Sequence, residues 1–248
     1  MNILVCISNV PDTTTKIKFT DDNTRFNEEG VQWIINPWDE LALTRALELK
    51  EKTDKIDSIT VLNVGENISD ATLRKALAVG ADKAVRIDAF PKDAFSVASE
   101  MAEYIKNESY DIILTGIESS DYNNSAVGGM LAEMLELPSV SSVSSLNIED
   151  ESIKLTREIE GGQETLATQT PFVGIVQKGI AIEPRIPAMR GIMMARKKPL
   201  EVKDPAKTEP LVEYTSFELP PEKGECKMYD PDNVDSLIDD LDKEAKIL

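Results

Sequence analysis

The sequence predicts an α/β fold in which helices cover both faces of a mostly parallel sheet. Two observations support this prediction. Over the first two thirds of the 248 residues, short apolar runs alternate with segments of helical periodicity, which is typical of successive strand and helix units. The composition is 41% hydrophobic and 5% aromatic, which is enough apolar content for a globular core.

The first strand and the first helix are the clearest predicted elements. Residues 2–7 are almost entirely apolar and predict a buried strand. The helix is expected to begin after Asn36, because Asn suits the N-cap, Pro37 suits the first helical position and the acid Asp39 suits the first turn. Trp38 and later apolar residues then recur at helical spacing.

Three further strand and helix pairs follow with the same periodicities. They are 59–64 with 69–80, 84–87 with 94–105, and 110–115 with 127–135. Ser69 and Gly80 suit the start and the stop of the second helix. Pro138 is expected to end the fourth helix.

The pattern changes in the last third of the chain. Ile153, Leu155 and Ile159 alternate with polar residues before Gly161-Gly162, which predicts an inserted β-hairpin with a two-residue turn. Residues 172–176 predict one more apolar strand.

A polar, proline-rich arm is predicted from Pro199 onward, since this segment lacks the apolar residues for a core of its own. It ends in an amphipathic helix that includes Val234 and Leu241. The predicted division is an α/β domain at 1–198, with the hairpin and a recognition loop, and an arm with its helix at 199–248.

Charge and composition exclude several classes of function. The 27 basic and 45 acidic residues give a net charge of −18, which disfavours nucleic-acid binding. There is no histidine, so histidine-dependent nucleophilic catalysis and the usual imidazole metal ligands are excluded. We predict no catalytic residue and no metal site.

The cysteines and the apolar runs indicate the expected compartment. Cys6 and Cys226 lie far apart in the chain, which is unlike a disulfide scaffold and favours a reducing cytoplasm. Cys6 lies within a predicted strand and is interpreted as inert core. No uncharged apolar run reaches the roughly 18 residues that span a bilayer, so no membrane insertion is expected.

A basic segment interrupts the acidic sequence. Five cations and no acid lie between Glu183 and Glu201; they are Arg185, Arg190, Arg196, Lys197 and Lys198. Such a segment is either a solvated face or a contact surface. Met189, an apolar residue between prolines and arginines, favours protein contact.

A ligand cleft is predicted at the carboxyl ends of the parallel strands. Three segments should meet there, namely 6–9, 36–39 and 116–129. In the third, polar residues precede a helix whose first turn contains Gly128 and Gly129, and the free N–H groups of such a helix start suit a phosphate. An ordinary helix cap with glycines for tight packing explains the same residues.

Four motifs in order resemble electron-transfer flavoprotein beta subunits. Residues 9–13 resemble the family's loop after its first strand, and residues 35–40 resemble its Asn-Pro-aromatic helix start. Residues 157–164 resemble its signature hairpin. Residues 183–198 resemble the segment that leads into and includes its basic run.

The resemblance implies a nucleotide-binding parallel-sheet fold akin to the adenine-nucleotide hydrolase-like folds. It implies an electron carrier, not an enzyme, that pairs as a heterodimer with an alpha subunit holding the redox FAD, while this subunit binds a structural AMP. The nucleotide contacts implied by matching positions are Cys6, Asn36, Pro37, Trp38, Asp39, Val64, Asp121, Asn124, Ser125, Ala126, Val127, Gly128, Gly129 and Met130.

The resemblance also implies docking to flavin dehydrogenases such as acyl-CoA dehydrogenases. Met189 occupies the position of the family's hydrophobic anchor, with Ile186, Pro187 and Arg190 beside it.

Departures from the family pattern leave alternatives open. Ile117 stands where many members have a basic residue after Gly116. Val127 resembles electron-bifurcating members, in which a second FAD replaces AMP, whereas Gly129 does not. A universal-stress-type nucleotide-binding protein shares the architecture but does not need the hairpin or the basic segment. An ATP-using enzyme would need a glycine-rich loop after the first strand, which residues 8–11 do not provide.

Overall fold

The computed structural model describes residues 1–20, 22–149, 152–244 and 246–247. The strands are β1 (Asn2–Cys6), β2 (Asn9–Pro11), β3 (Phe19–Thr20), β4 (Arg25–Phe26), β5 (Trp33–Ile35), β6 (Ser58–Val64), β7 (Lys83–Ile87), β8 (Ile112–Gly116), β9 (Ser139–Ile148), β10 (Ile153–Ile159), β11 (Gly162–Thr168), β12 (Phe172–Val176) and β13 (Leu200–Lys203). The helices are α1 (Pro37–Lys52), α2 (Asp70–Val79), α3 (Ala94–Ile105), α4 (Val127–Met134), α5 (Met189–Ala195) and α6 (Val234–Lys243).

The described chain forms a nine-stranded sheet in the order β11-β10-β9-β12-β8-β1-β6-β7-β13. The strands from β9 to β13 in this order pair in parallel, and the hairpin β10–β11 extends the sheet antiparallel beyond β9. The α/β fold with a mostly parallel sheet is therefore confirmed. Among the described residues no helix combines the length and apolarity needed to cross a membrane.

Helices cover both faces of the sheet, and alternate residues of each strand serve the two faces. Ile3 and Val5 of β1 pack in one core with α1 and α2. Leu4 and Cys6 pack in the second core with α3 and α4. The central strands are therefore buried on both sides, which explains their uninterrupted apolar sequences.

Strand β9 was not predicted from the sequence, because bulged pairing disturbs its period. Its buried residues Val140, Val143 and Leu146 recur every third position, instead of every second as in a regular strand. The pairing with β10 and with β12 shifts register, and Ser142 has a positive φ of 56°. The extra residue hides the period of the strand from a search for alternation.

The hairpin lies where it was predicted, but its turn is one residue earlier. Ile159 pairs with Gly162, so the two turn residues are Glu160 and Gly161 and not the Gly161-Gly162 pair. Gly161 has a φ of 86°, a conformation that glycine adopts without strain.

The sheet also includes residues that the sequence analysis placed in the arm. Leu200–Lys203 forms β13, which pairs in parallel with β7 at the edge of the sheet. The described residues after Lys203 lie in neither strand nor helix until α6, which has no buried residue. A four-residue edge strand directly after a proline is too short to give a recognisable period.

Two adjacent glycines of α4 differ in their surroundings. A Cβ on Gly128 would lie 2.6 Å from Thr115 Oγ1 and 2.8 Å from Ile175 Cγ1, whereas a Cβ on Gly129 would meet nothing within 4 Å. Gly128 therefore permits close packing of α4 on β8 and β12.

We expect Gly128→Ala to lower the free energy of unfolding by about 1–3 kcal/mol, because the added methyl group overpacks the contact with the sheet. The matched change Gly129→Ala should raise it by about 0.5–1 kcal/mol through helix propensity. Urea unfolding of the two variants checks this, and equal effects would contradict the packing role of Gly128.

Candidate functional site

A cleft lies at the carboxyl ends of β1, β6 and β8, where ligands bind in parallel sheets. The three segments predicted to meet, 6–9, 36–39 and 116–129, each contribute to its wall. The cavity measures about 170 Å³. Its buried floor includes Cys6, Asp39, Asn63, Thr115 and Gly128, and its more exposed rim includes Phe90, Tyr122 and Tyr214.

The carboxylate of Asp39 joins three elements at the floor of the cleft. Asp39 Oδ2 accepts a hydrogen bond of 2.8 Å from the N–H of Ser8, directly after β1. Its Oδ1 accepts one of 2.8 Å from the N–H of Gly116 at the end of β8. Asp39 itself lies in the first turn of α1. A Cβ on Gly116 would overlap this carboxylate, so glycine permits the approach.

Burial raises the pKa of Asp39 to about 7, although the hydrogen bonds from Ser8, Asn36 and Gly116 act in the opposite direction. Burial of Cys6 is the main cause that raises the pKa of its thiol far above the ordinary value, and the charge of Asp39 adds to this rise. A thiol that stays protonated is a poor nucleophile, which supports the interpretation of Cys6 as inert core.

Asn36 occupies the N-cap position of α1 as predicted, but its side chain does not cap the helix. Its Nδ2 donates to the carbonyl of Glu118 at 2.8 Å, and its Oδ1 accepts from the N–H of Ser120 at 3.1 Å. Asn36 therefore fixes the loop after β8 relative to α1. The side chain does not cap the helix because its Nδ2 and its Oδ1 are both bonded to backbone groups of this loop.

Two buried polar atoms beside the cleft have no hydrogen-bond partner in the described part of the chain. They are Asn63 Oδ1 and Thr115 Oγ1, in residues that line the cleft. The other end of Asn63 donates to the carbonyl of Ile7 at 2.8 Å. Buried polar atoms are rarely left unpaired in native proteins, so this pair is a candidate for contact with a bound molecule.

The start of α4 provides a second polar feature of the cleft. Its first turn has no side-chain cap, so the N–H groups of Val127, Gly128 and Gly129 have no partner within the helix. The preceding residues Asn123 and Ser125 have positive φ values of 51° and 49°. Backbone N–H groups and the helix dipole at such a terminus favour an anion.

The charged side chains of the cleft are mostly acidic. Lys92 is the one cation among the described lining residues, and the acids are Glu28, Asp39, Glu66, Asp93, Glu118 and Asp121. Among the residues that the structure describes, no three acids or cysteines are grouped so that they could hold a metal ion. The electrostatics favour a ligand with few negative charges.

The structure places eight of the fourteen predicted nucleotide residues in the wall of the cleft. These are Cys6, Asp39, Val64, Asp121, Asn124, Ala126, Val127 and Gly128. The other six, Asn36, Pro37, Trp38, Ser125, Gly129 and Met130, do not line it. Asn36 bonds to the loop after β8. Gly128 lines the cleft and also packs closely on the sheet, so its position fits both the phosphate site and the alternative of tight packing.

Some cleft residues were not found from the sequence. Asn63 and Thr115 are polar residues within buried strands, and that mismatch is a signal that could have identified them. Tyr214 comes from the arm, about 85 residues beyond the predicted cleft segment 116–129. Local sequence holds no signal for a contact at that separation.

The loop with the predicted partner-binding residues is exposed. Ile186 is 86% and Met189 is 77% exposed. Met189 and Arg190 form the first turn of the short helix α5, which the sequence analysis left unassigned, while Ile186 and Pro187 precede it. Gly191 approaches the carbonyl of Ala78 so closely that a Cβ would overlap it, so α5 packs directly on α2.

The basic segment divides into structural and solvent-facing cations. Arg185 forms a bidentate ion pair with Glu51, with distances of 2.6 and 2.7 Å. Lys198 donates to three carbonyls at the end of α2, those of Leu77, Gly80 and Ala81. Arg190, Arg196 and Lys197 are exposed. Two of the five cations therefore hold the segment against the domain and three face solvent, while contact of this segment with another protein stays a prediction.

Comparison with known proteins identifies the class to which this fold and cleft belong. The model of the electron transfer flavoprotein domain matches residues 23–208. The electron transfer flavoprotein subunit beta of Bacillus subtilis is 33% identical over 262 residues, which cover 100% of each chain. That of Syntrophomonas wolfei is 36% identical over 226 residues, which cover 90% of this chain and 88% of the relative.

The chain therefore belongs to the electron transfer flavoprotein family, among its beta subunits, and the resemblance seen in the four motifs is confirmed. A relative with a different name shows the breadth of the group. The acryloyl-CoA reductase electron transfer subunit gamma of Anaerotignum propionicum is 31% identical over 264 residues, which cover 97% of this chain and 98% of the relative.

The raised pKa of Asp39 predicts a specific dependence of stability on pH. The folded state keeps a proton that the unfolded carboxyl, with a pKa of 3.8, has lost. Its stabilising contribution is therefore complete below about pH 4 and is lost as the pH rises through about 7. A pKa difference of this size corresponds to at most about 4 kcal/mol.

We expect the free energy of unfolding of the wild type to fall between about pH 4 and 7 relative to that of Asp39→Asn, which cannot titrate. Asp12→Asn is the control, because hydrogen bonds from Thr14 lower the pKa of Asp12, and that group titrates below this range. Urea unfolding at several pH values measures the curves. Parallel curves for the wild type and Asp39→Asn would contradict the raised pKa.

Proposed function

We propose that this chain is the beta subunit of a heterodimeric electron-transfer flavoprotein and that its cleft binds AMP. The observation that carries the proposal is the combination of unpaired buried oxygens on Asn63 and Thr115 with a helix start whose N–H groups lack side-chain caps. The helix start suits a single phosphate. The two oxygens suit the polar edges of a base or a sugar.

Size and charge support a mononucleotide over the second FAD of the bifurcating alternative. A cavity of about 170 Å³ is small beside the roughly 300–1,000 Å³ of pockets for drug-sized ligands. The acidic lining, in which Lys92 is the single cation among the described residues, disfavours longer phosphate chains. AMP combines the smallest size with the fewest charges among the adenine nucleotides.

The deciding experiment is mass spectrometry of the nucleotide released when the purified complex is denatured. AMP in a one-to-one ratio with this chain is the expected result. A second FAD would instead support the electron-bifurcating type, and a preparation without any nucleotide would refute the proposed site.

Thr115→Val tests the contact with the nucleotide. We expect AMP to bind about 2- to 10-fold more weakly, since one hydrogen bond contributes about 0.5–1.5 kcal/mol. The stability of nucleotide-free protein should stay the same or rise, because the hydroxyl removed has no partner in the described structure. Calorimetric titration and melting curves measure the two effects. Unchanged affinity with lower stability would contradict the assignment.

The role in electron transfer follows from family membership and from the division of tasks that the resemblance implies. We infer that an alpha subunit holds the FAD that carries the electrons. This chain then supplies the nucleotide-stabilised fold and the docking surface, and it performs no catalytic step of its own. The arm and α6, which buries none of its residues, are the proposed contacts with the alpha subunit.

The docking surface that we propose for flavin dehydrogenases is the exposed loop around α5. Ile182 is 97%, Ile186 is 86% and Met189 is 77% exposed, with Arg190 beside them. The ion pair of Arg185 with Glu51 and the contact of Gly191 with α2 hold the loop in place, which lowers the cost of ordering it on binding. A carrier that must dissociate quickly needs a small interface with few anchors.

We expect Met189→Ala to raise the KM for a dehydrogenase partner roughly 5- to 150-fold, because loss of an interface anchor costs about 1–3 kcal/mol. The control is Ile17→Ala, because Ile17 is 44% exposed and lies outside both the loop and the arm. Steady-state electron transfer and melting curves are measured together. If both variants match the wild type in KM, Met189 is not an anchor.

A further inference from the structure

Four aromatic rings link the arm to two loops of the α/β domain. Tyr122 and Tyr214 lie 5.1 Å apart between ring centroids, Tyr214 and Phe217 6.0 Å, and Phe217 and Phe19 5.4 Å. Tyr122 follows β8, Phe19 belongs to the small β3–β4 ribbon, and the middle two rings belong to the arm. We name this row of four rings the aromatic strap.

Buried carboxylates fasten the arm next to the strap. Glu100 of α3 accepts hydrogen bonds from the N–H groups of Ala206 and Thr208, at 2.6 and 2.9 Å. Asp93 accepts two more, from Leu211 and Val212, at 2.8 and 3.0 Å. Hydrogen bonds from N–H groups to a carboxylate are stronger than neutral ones, so four such bonds hold residues 206–212 against the domain.

Some of the residues that hold the arm also line the cleft. Asp93, Tyr122 and Tyr214 all belong to its wall, and Tyr214 is the one described arm residue that does. Tyr122 is 45% and Tyr214 is 40% exposed, whereas Asn63 and Thr115 at the floor are buried. The strap therefore lies on the solvent side of the cleft.

We propose that the aromatic strap closes the nucleotide site, so that a bound mononucleotide leaves only when residues 206–217 of the arm detach. This inference rests on the proposed function of the cleft and adds Tyr214 as a positioning residue. Detachment must separate ring contacts and break hydrogen bonds to Asp93 and Glu100. Exchange of the nucleotide is then slow even where its affinity is modest, because the opening step limits the rate.

Closure by the strap links nucleotide binding in the cleft to the binding of any partner by the arm. A protein that binds the arm only in its detached form would weaken nucleotide binding and speed nucleotide exchange. A bound nucleotide would in turn oppose that binding by the same free energy. A strap that only fastens the arm would show no such linkage.

The test compares Tyr214→Ala with Tyr214→Phe in the full-length chain. The probe is AMP carrying a fluorescent N-methylanthraniloyl group, and its dissociation is followed after excess AMP is added. We expect Tyr214→Ala to raise the dissociation rate at least about 10-fold, whereas Tyr214→Phe keeps the ring contacts and the rate of the wild type. The 10-fold change corresponds to about 1.4 kcal/mol.

Glu100→Gln provides a second route to the same result without altering the wall of the cleft, of which Glu100 is not a part. It should loosen residues 206–208 and also raise the dissociation rate, because the two N–H groups bond to different oxygens of Glu100 and glutamine replaces one of those oxygens with an NH2 donor. Equal dissociation rates for the wild type and both loosened variants, at unchanged affinity, would overturn the strap while leaving the AMP site intact. A wild type that binds no probe would refute the proposed function itself.

Discussion

The carboxylate of Asp39 is the interaction on which the geometry of the cleft depends. In a parallel sheet the hydrogen bonds between strands do not extend to the loops that follow them. Other contacts must hold those loops in place. The side chain of Asp39, in the first turn of α1, accepts a hydrogen bond from the N–H of Ser8 after β1 and another from the N–H of Gly116 at the end of β8. Both measure 2.8 Å. The contact requires that Gly116 has no side chain, and the bonds of Asn36 to Glu118 and Ser120 hold the loop that follows β8 in the same region.

This arrangement costs stability and supplies a preformed site in exchange. Burial of Asp39 penalises its charged form, and the unpaired oxygens of Asn63 and Thr115 add a further penalty. A protein selected only for stability would replace all three residues. Their concentration at one edge of the sheet supports the proposal that a bound nucleotide compensates for them.

Sequence reasoning found the central fold because each central strand is apolar on both faces and each helix has a clear start. It missed β9, where the bulge at Ser142 changes the period, and β13, which is too short to show one. For the cleft, it located the three backbone segments that parallel topology brings together. It failed for Asn63, Thr115 and Tyr214, because pairing of a buried atom and contact with a distant arm are properties of the folded chain. Its prediction of Gly128 as a ligand contact stays a prediction: Gly128 lines the cleft, and its missing Cβ also permits close packing on Ile175.

The position of β13 has a consequence for any shortened form of the protein. Its four residues cover the backbone of β7 along the register from Leu200 with Ala84 to Lys203 with Ile87. A chain cut at residue 198 would leave the N–H and carbonyl groups of that edge open to strands of other molecules. The charged pair of Lys83 with Glu201, at 3.1 Å, would be lost from the same edge. The beginning of the arm thus protects the domain against self-association, and a fragment without it would aggregate although its core is complete.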